Sequence, residues 1–198
     1  MDFQIALLLG QDGLTNGAIY ALLALALVLV FAVTRVIFIP QGEFVAYGAL
    51  TLATLQAGKL PATLWMILVL GAVIAAIDGA LALRHGAGRR LPRIVATNLG
   101  VPLLLWLLLS GINLGGLPLI AQVALTLAVV VPLGPMIYRL AYQPIAEAPV
   151  LILLIVSVAV HVVLIGLGLL FFGAEGTRTP AFTEGTLDLG VTTLQYQT

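Results

Sequence analysis

The residues of this sequence best suited to chemistry stand together in one short stretch. Pro40, Gln41, Gly42 and Glu43 follow one another, and proline and glycine placed so closely interrupt a helix and free backbone polar groups. In an apolar setting such groups persist only where protein or water satisfies them, and broken helices of this kind often line transport pathways. The stretch predicts a polar lining for such a path. The alternative is a plain turn, with Glu43 as an acidic residue in the first turn of the next helix.

A second group of small and polar side chains precedes this stretch. Gly13, Gly17 and Ala21 recur every four residues, and this spacing puts them on one helix face, where they would let another helix approach closely. Asn16 and Tyr20 recur with the same spacing on a neighbouring face. They would line the polar path or hydrogen-bond to adjacent helices, and the spacing leaves both open.

Two ionisable side chains interrupt long apolar runs, and intramembrane ionisable residues are functional candidates by default. Asp78 is predicted to pair near the interface with an arginine of residues 84–93. His161 is predicted to be a neutral imidazole that hydrogen-bonds between helices. A histidine without an acidic residue or second histidine nearby makes a poor metal site, so no metal site is predicted. There is no phosphate-binding glycine-rich loop for ATP and no protease motif.

The composition decides the broad class of protein. Of 198 residues, 62% are hydrophobic and 8% are charged, and the mean hydropathy is +1.19. Soluble domains carry about 25% charged residues, so an ordinary soluble enzyme is excluded. Eight basic residues balance eight acidic ones, which gives no basic field for nucleic acid. Without cysteine, disulfides and thiol catalysis are excluded too. A polytopic membrane protein in a lipid bilayer remains.

The apolar runs predict an all-α fold. A helix needs about 20 apolar residues to cross a bilayer. Five runs are long enough for full transmembrane helices and one, residues 44–57, is short or part of a broken helix, while residues 3–9 are too short and are placed at the interface. The five long runs are residues 14–34, 60–83, 94–109, 117–138 and 149–172.

The basic residues predict the orientation. Residues 84–93 contain half of all the lysine and arginine, so this loop is placed in the cytoplasm. Alternation then puts residues 139–148 inside, residues 111–116 outside, and the N-terminus outside if residues 40–57 cross the membrane. Whether that segment spans or re-enters stays open.

Residues 13–25 and 28–37 together resemble the opening helix of the permeases of branched-chain amino acid ABC transporters. In that family this helix leads into an Asn-Phe-Ala-His-Gly-Glu-Phe motif, and Gly42, Glu43 and Phe44 match its end. Residues 138–145 resemble the family's Glu-Arg-x-x-Tyr-Arg-Pro-Leu element. Pro40 and Gln41 depart from the family pattern, which marks a subfamily with a different ligand.

The resemblance implies a translocation subunit that works by alternating access in the bacterial inner membrane. The implied partners are a second permease subunit, cytoplasmic ATP-binding subunits and a periplasmic solute-binding protein. No cofactor is expected on this chain, because ATP would be bound by the partner ATPase. Family members are typically longer, so the resemblance also predicts that this chain is truncated before the last helices and the loop that couples to the ATPase.

Two regions are predicted, a transmembrane permease domain over residues 1–173 and a polar extracytoplasmic tail over residues 174–198. Three rival functions remain open. The first is a secondary carrier that uses an ion gradient, or an importer subunit for another small polar solute such as an amide or urea. A membrane enzyme would need a clustered catalytic set, which the sequence does not offer. A structural membrane partner is the third.

Overall fold

The computed structural model describes residues 3–174, 179, 185–188 and 193–195. This part of the chain forms seven α-helices and one small sheet. The helices are α1 (Phe3–Thr34), α2 (Gln41–Gln56), α3 (Ala62–Arg84), α4 (Leu91–Ser110), α5 (Leu119–Val130), α6 (Leu133–Ile137) and α7 (Val150–Phe172). The strands β1 (Thr186–Asp188) and β2 (Thr193–Gln195) pair antiparallel, with Leu187 opposite Leu194.

The predicted pattern of five long apolar helices and one short helix is confirmed. In the described residues, α1, α3, α4, the stretch from α5 to Ile145, and α7 are long and apolar enough to cross a membrane. The 16 residues of α2 are not, because they extend about 24 Å at 1.5 Å per residue. Most of the predicted tail, residues 174–198, lies outside the described residues, apart from the sheet and a few single positions.

The first helix differs from its prediction. Residues 3–9 are not a separate interfacial stretch, because α1 continues without a break through Gly10, Gly13 and Gly17. At 32 residues α1 is about 48 Å long. No residue in its most apolar part is buried. Because α1 buries so little of its surface against the other helices, the core lies elsewhere.

That core is formed mainly by α2 to α7 and is mainly aliphatic. Several of its side chains have an exposed fraction of 1% or less. The members with no or almost no exposed surface are Leu55, Leu64, Met66, Ile67, Leu109, Val129 and Leu133. This continuous apolar cluster fixes the positions of the helices that carry the polar side chains.

The helices α3 and α4 approach each other closely in the core. Pro102 has no N–H to donate to the carbonyl of Asn98, four residues earlier in α4. That carbonyl points at Gly71 of α3, and a Cβ added to Gly71 would lie 2.5 Å from the oxygen. Only glycine therefore allows this crossing.

Prolines also make the helical stretch after α5 irregular. Pro132 and Pro135 each remove a backbone donor, and α5 gives way to α6, a π-helical turn at Tyr138–Tyr142 and a 3-10 turn at Gln143–Ile145. Arg139 was predicted to begin a loop, but it lies on the π-helical turn. This irregularity brings Arg139 and Tyr142 against α3 and α7.

Candidate functional site

The connection between α1 and α2 is a break in the helical structure, exposed at Arg35 and buried at Val36 and Pro40. Arg35 adopts a φ of +59°, a left-handed conformation that costs a non-glycine residue roughly 1–2 kcal/mol. The hydroxyl of Thr34 supports the turn, because it accepts a hydrogen bond from the N–H of Val36 at 3.2 Å. Pro40 is fully buried, and α2 begins at Gln41. The predicted break is therefore confirmed, and it runs from the exposed Arg35 to the buried Pro40.

A row of polar contacts, which we call the α2–α7 seam, joins this break and α2 to α7. The seam has three contacts. Ile39 meets Ser157, Glu43 meets His161, and Tyr47 meets Leu164 and Gly168. Residue numbers rise in the same direction on both sides, so α2 and α7 run parallel along the seam. Because residues four apart lie on one helix face, each helix contributes a single stripe to it.

Ser157 is the first contact of the seam and is fully buried. Its hydroxyl oxygen accepts a hydrogen bond from the N–H of Ile39 at 3.0 Å. The hydroxyl of Tyr142 donates to the same oxygen at 3.2 Å. One side chain of α7 thus shares a backbone donor of the break with the carbonyl of Ile37 and binds a tyrosine of the π-helical turn.

Glu43 and His161 are the second contact. Nδ1 of His161 lies 2.8 Å from Oε1 of Glu43, with exposed side-chain fractions of 34% and 15%. The approach does not meet hydrogen-bond angles, and the other carboxylate oxygen, Oε2, is buried without a hydrogen-bond partner among the described residues. The contact is therefore a close electrostatic one between two side chains, and Oε2 of Glu43 and Nδ1 of His161 have no hydrogen-bond partner among the described residues.

Tyr47 is the third contact. Its hydroxyl donates to the carbonyl oxygen of Leu164 at 2.5 Å. A Cβ added to Gly168 would lie 3.5 Å from the Tyr47 ring, so the glycine gives this ring its space. Beside the seam, Glu43 and Tyr47 line a small pocket of about 280 Å³ together with apolar residues of α7.

The other predicted path residues are not brought to the seam. Asn16 and Tyr20 lie on exposed faces of α1, and Tyr20 is 72% exposed. A Cβ added to Gly13 or Gly17 would meet nothing within 4 Å, and Ala21 is exposed, so this stripe has no packing partner in the described part of the chain. Gln41 instead lines an apolar cavity of about 480 Å³ between α1 and the rest of the helices.

Asp78 forms a separate polar cluster with residues distant in the sequence. Its Oδ2 lies 2.6 Å from a guanidinium nitrogen of Arg139, and the side-chain amide of Asn98 donates to it at 3.4 Å. The predicted partner, an arginine of residues 84–93, was wrong, since Arg139 makes the ion pair. The cluster ties α3, α4 and the π-helical turn together.

Sequence reasoning treated Glu43 and His161 as unrelated and missed Ser157, Tyr47 and Tyr142. The sequence shows no acidic residue near His161, but in the structure Glu43, 118 positions away in the sequence, lies next to it. One signal was present, because Glu43 and Tyr47 share the four-residue spacing of Ser157 and His161. The structure still gives no group of three or more metal-ligating side chains within the residues it describes.

The seam also gives a stability prediction. Replacing Ser157 by alanine should lower the free energy of unfolding by about 1 kcal/mol, because the hydroxyl of the buried Tyr142 loses its acceptor and the N–H of Ile39 keeps only the carbonyl of Ile37. The measurement is thermal unfolding of the purified protein in detergent. Ser110→Ala is the matched control, since Ser110 is exposed and bonds only to its own helix at Leu107. Equal unfolding temperatures for the two variants would contradict the role given to Ser157.

Together these features define a class: a helical protein with five helices long and apolar enough to cross a membrane, and a polar seam within the bundle. Comparisons with protein families, with curated proteins and with solved structures found no match to this chain.

Proposed function

We propose that this chain is a translocation subunit of an ATP-driven importer for branched-chain or related amino acids, embedded in the bacterial inner membrane. The observation that carries the proposal is the break at residues 35–40, which ends at the buried Pro40, with Glu43 and His161 facing each other directly after it. A helix end and an ionisable pair inside an apolar bundle are costly features. Transport proteins use such discontinuous helices to form a solute site.

The apolar helices and the resemblance of residues 13–44 support the membrane setting and the family. The proposed orientation keeps residues 84–93 and 139–147 in the cytoplasm, where the partner ATPase would dock and anionic lipid would meet the arginines. Ligand would arrive from a periplasmic solute-binding protein. ATP bound by the partner would shift the subunit pair between outward and inward states.

The residues of this chain have distinct parts in this mechanism. Gln41 and Glu43, with the backbone at Pro40 and Gly42, would offer polar groups to the solute at the start of α2. Asn16 and Tyr20 face away from this site, so their place in the path would be at a boundary with the second permease subunit. The stripe of Gly13, Gly17 and Ala21 would pack at that same boundary.

A second candidate is a secondary carrier driven by an ion gradient. The contact between Glu43 and His161 favours it, because proton-driven transporters use acidic residues and histidines within the membrane as relays. A carrier of this kind would transport an amino acid, an amide or urea without an ATPase.

The test measures uptake of labelled leucine, isoleucine and valine by cells with and without the gene, together with the proteins that co-purify with the tagged chain. We expect uptake that depends on the gene and an ATP-hydrolysing subunit in the purified complex. Gene-dependent uptake without such a subunit would favour the carrier, and no gene-dependent uptake of any of these solutes would contradict the amino-acid importer.

In the same assay Glu43→Gln should lower uptake by about tenfold, which corresponds to about 1.4 kcal/mol of lost interaction with the solute. Glu147→Gln is the matched control, because Glu147 is exposed and lies away from the seam. Membrane levels of both variants are measured by immunoblot, so that uptake is compared per molecule. Equal uptake by the two variants would exclude Glu43 from the path.

A further inference from the structure

Another pocket lies where the π-helical turn meets α3 and α4. It has a volume of about 280 Å³, and residues of all three elements line it together with residues of the stretch 132–136. It shares no lining residue with the pocket beside the seam. Sites for small molecules have volumes of about 300–1,000 Å³, so this pocket has room for a ligand of amino-acid size and not for a larger one.

Arg139 brings a guanidinium with free donors into the pocket. One of its terminal nitrogens lies 2.6 Å from Oδ2 of Asp78, and its side chain is 44% exposed. Within the described residues this ion pair is the only polar contact of the guanidinium. The remaining donors of its planar fork can bind a carboxylate. The residue belongs to a π-helical turn, and such turns often occur at functional sites.

Asn98 adds an acceptor that has no donor in the protein. The residue is only 7% exposed. Its side-chain nitrogen donates to the carbonyl of Ile94 at 2.9 Å and to Asp78 at 3.4 Å. Its side-chain oxygen accepts no hydrogen bond from the described residues. An unpaired acceptor in so buried a side chain is costly, so this oxygen calls for an N–H donor from a ligand or water.

The rest of the wall is largely apolar and rigid. The hydroxyl of Thr97, which also lines the pocket, donates to carbonyls of its own helix. Proline rings fix the backbone around them, so the three prolines of the wall form the pocket before a ligand arrives. Such a wall suits an aliphatic side chain. Its apolar members are Ile74, Val101, Pro102, Pro132, Pro135 and Met136.

The charges beside the pocket restrict the ligand further. Asp78 and Arg139 cancel each other, so the empty site is neutral. A ligand with a net charge would leave that charge in a partly buried cluster, which is unfavourable. A ligand that carries one charge of each sign keeps the cluster neutral while it still offers a carboxylate to Arg139 and an N–H donor to Asn98.

We propose that this pocket binds a small zwitterion with an aliphatic side chain. Its carboxylate is held by Arg139, its ammonium donates to the side-chain oxygen of Asn98, and its side chain lies against the apolar wall. Binding itself does not depend on the proposed transport function, but its meaning as a second site for the imported amino acid, on the cytoplasmic side of the membrane, rests on that function.

The test measures equilibrium binding of labelled leucine to the purified chain in lipid nanodiscs. Val101→Phe enlarges a side chain of the wall without touching the ion pair, and Val101 is 52% exposed, so the variant should fold. We expect it to weaken leucine binding at least about tenfold, a loss of about 1.4 kcal/mol. Val95→Phe is the matched control with unchanged binding, because Val95 is 47% exposed on the same helix and lies outside the pocket.

A second set of measurements tests the two polar ends of the ligand. Arg139→Lys keeps the positive charge beside Asp78 but loses the planar fork, and leucine should bind to it about tenfold more weakly. The wild-type chain should bind 4-methylpentanoate, which lacks the ammonium, and leucine amide, which lacks the carboxylate, about tenfold more weakly than leucine. Thermal unfolding of each variant confirms that it is folded.

Three results would overturn the zwitterion site. The first is no saturable binding of leucine to the wild-type chain, and the second is binding that Val101→Phe and Arg139→Lys leave unchanged. The third is an anionic phospholipid that co-purifies with the wild-type chain and is lost from Arg139→Lys while leucine does not bind. That result would assign Arg139 to a lipid headgroup.

The Glu43→Gln variant separates this site from the proposed function. Leucine binding that is lost in Glu43→Gln and kept in Val101→Phe would support a solute site at the start of α2 and overturn the zwitterion site. Binding that is kept in Glu43→Gln and lost in Val101→Phe, by a chain that gives no gene-dependent uptake, would keep the zwitterion site and refute the importer.

Discussion

Gly71→Ala should lower the free energy of unfolding by about 3 kcal/mol, the upper end of the range for overpacking a core. The added methyl group would lie 2.5 Å from the carbonyl oxygen of Asn98, and a backbone atom cannot move aside as a flexible side chain can. The helices α3 and α4 would have to separate. Their loss of contact would appear as a lower unfolding temperature of the detergent-purified protein.

Gly100→Ala is the matched control, because it changes glycine to alanine in the same pair of helices at a site with nothing within 4 Å. It should be neutral or stabilising, since alanine is a better helix former than glycine by about 1 kcal/mol. Equal destabilisation of both variants would show that the helix crossing at Gly71 is not as close as described.

Arg139→Ala should cost about 2 kcal/mol of stability. Removing one partner of a fully buried ion pair costs about 3–5 kcal/mol, because the other charge stays unpaired. Asp78 is 20% exposed and Arg139 is 44% exposed, so solvent screening reduces the expected loss. The double variant Asp78→Asn/Arg139→Ala removes both charges and should recover most of the lost stability, and the single variant Asp78→Asn completes the cycle.

These variants are compared by thermal unfolding, and Arg89→Ala serves as the control because Arg89 is exposed. In the double-mutant cycle, the coupling between positions 78 and 139 should be well above zero. Additive effects of the two single substitutions would mean that the ion pair contributes nothing to the stability of the folded state.

The long apolar helices could be predicted from the sequence because hydrophobicity is a local property. Five runs of about 20 apolar residues specify five helices whatever their neighbours are. The beginning of α2 was also predictable, since Pro40 and Gly42 act on their own backbone. The continuous course of α1 was not, because Gly10, Gly13 and Gly17 weaken a helix only slightly when the surrounding residues favour it.

The seam could not be predicted, because it depends on which helices are neighbours in space. The sequence placed Glu43 and His161 in polar roles, but nothing in their spacing says that α2 and α7 run side by side. The same holds for Asp78. Proximity in the sequence predicted an ion-pair partner within residues 84–93, whereas in the structure the partner is Arg139. Pairing between distant segments follows from packing, and a single sequence carries little information about it.

The hydrogen bond from Ile39 to Ser157 has a consequence for the synthesis of the chain. The two residues are 118 positions apart, and at 5–20 residues per second a ribosome needs about 6–24 s to make the intervening segment. During that interval the amide of Ile39 has only one of its two native acceptors, the carbonyl of Ile37, while the neighbouring helices α3 and α4 can already close on each other. The contact between the break and α7 therefore forms only after α7 has left the ribosome.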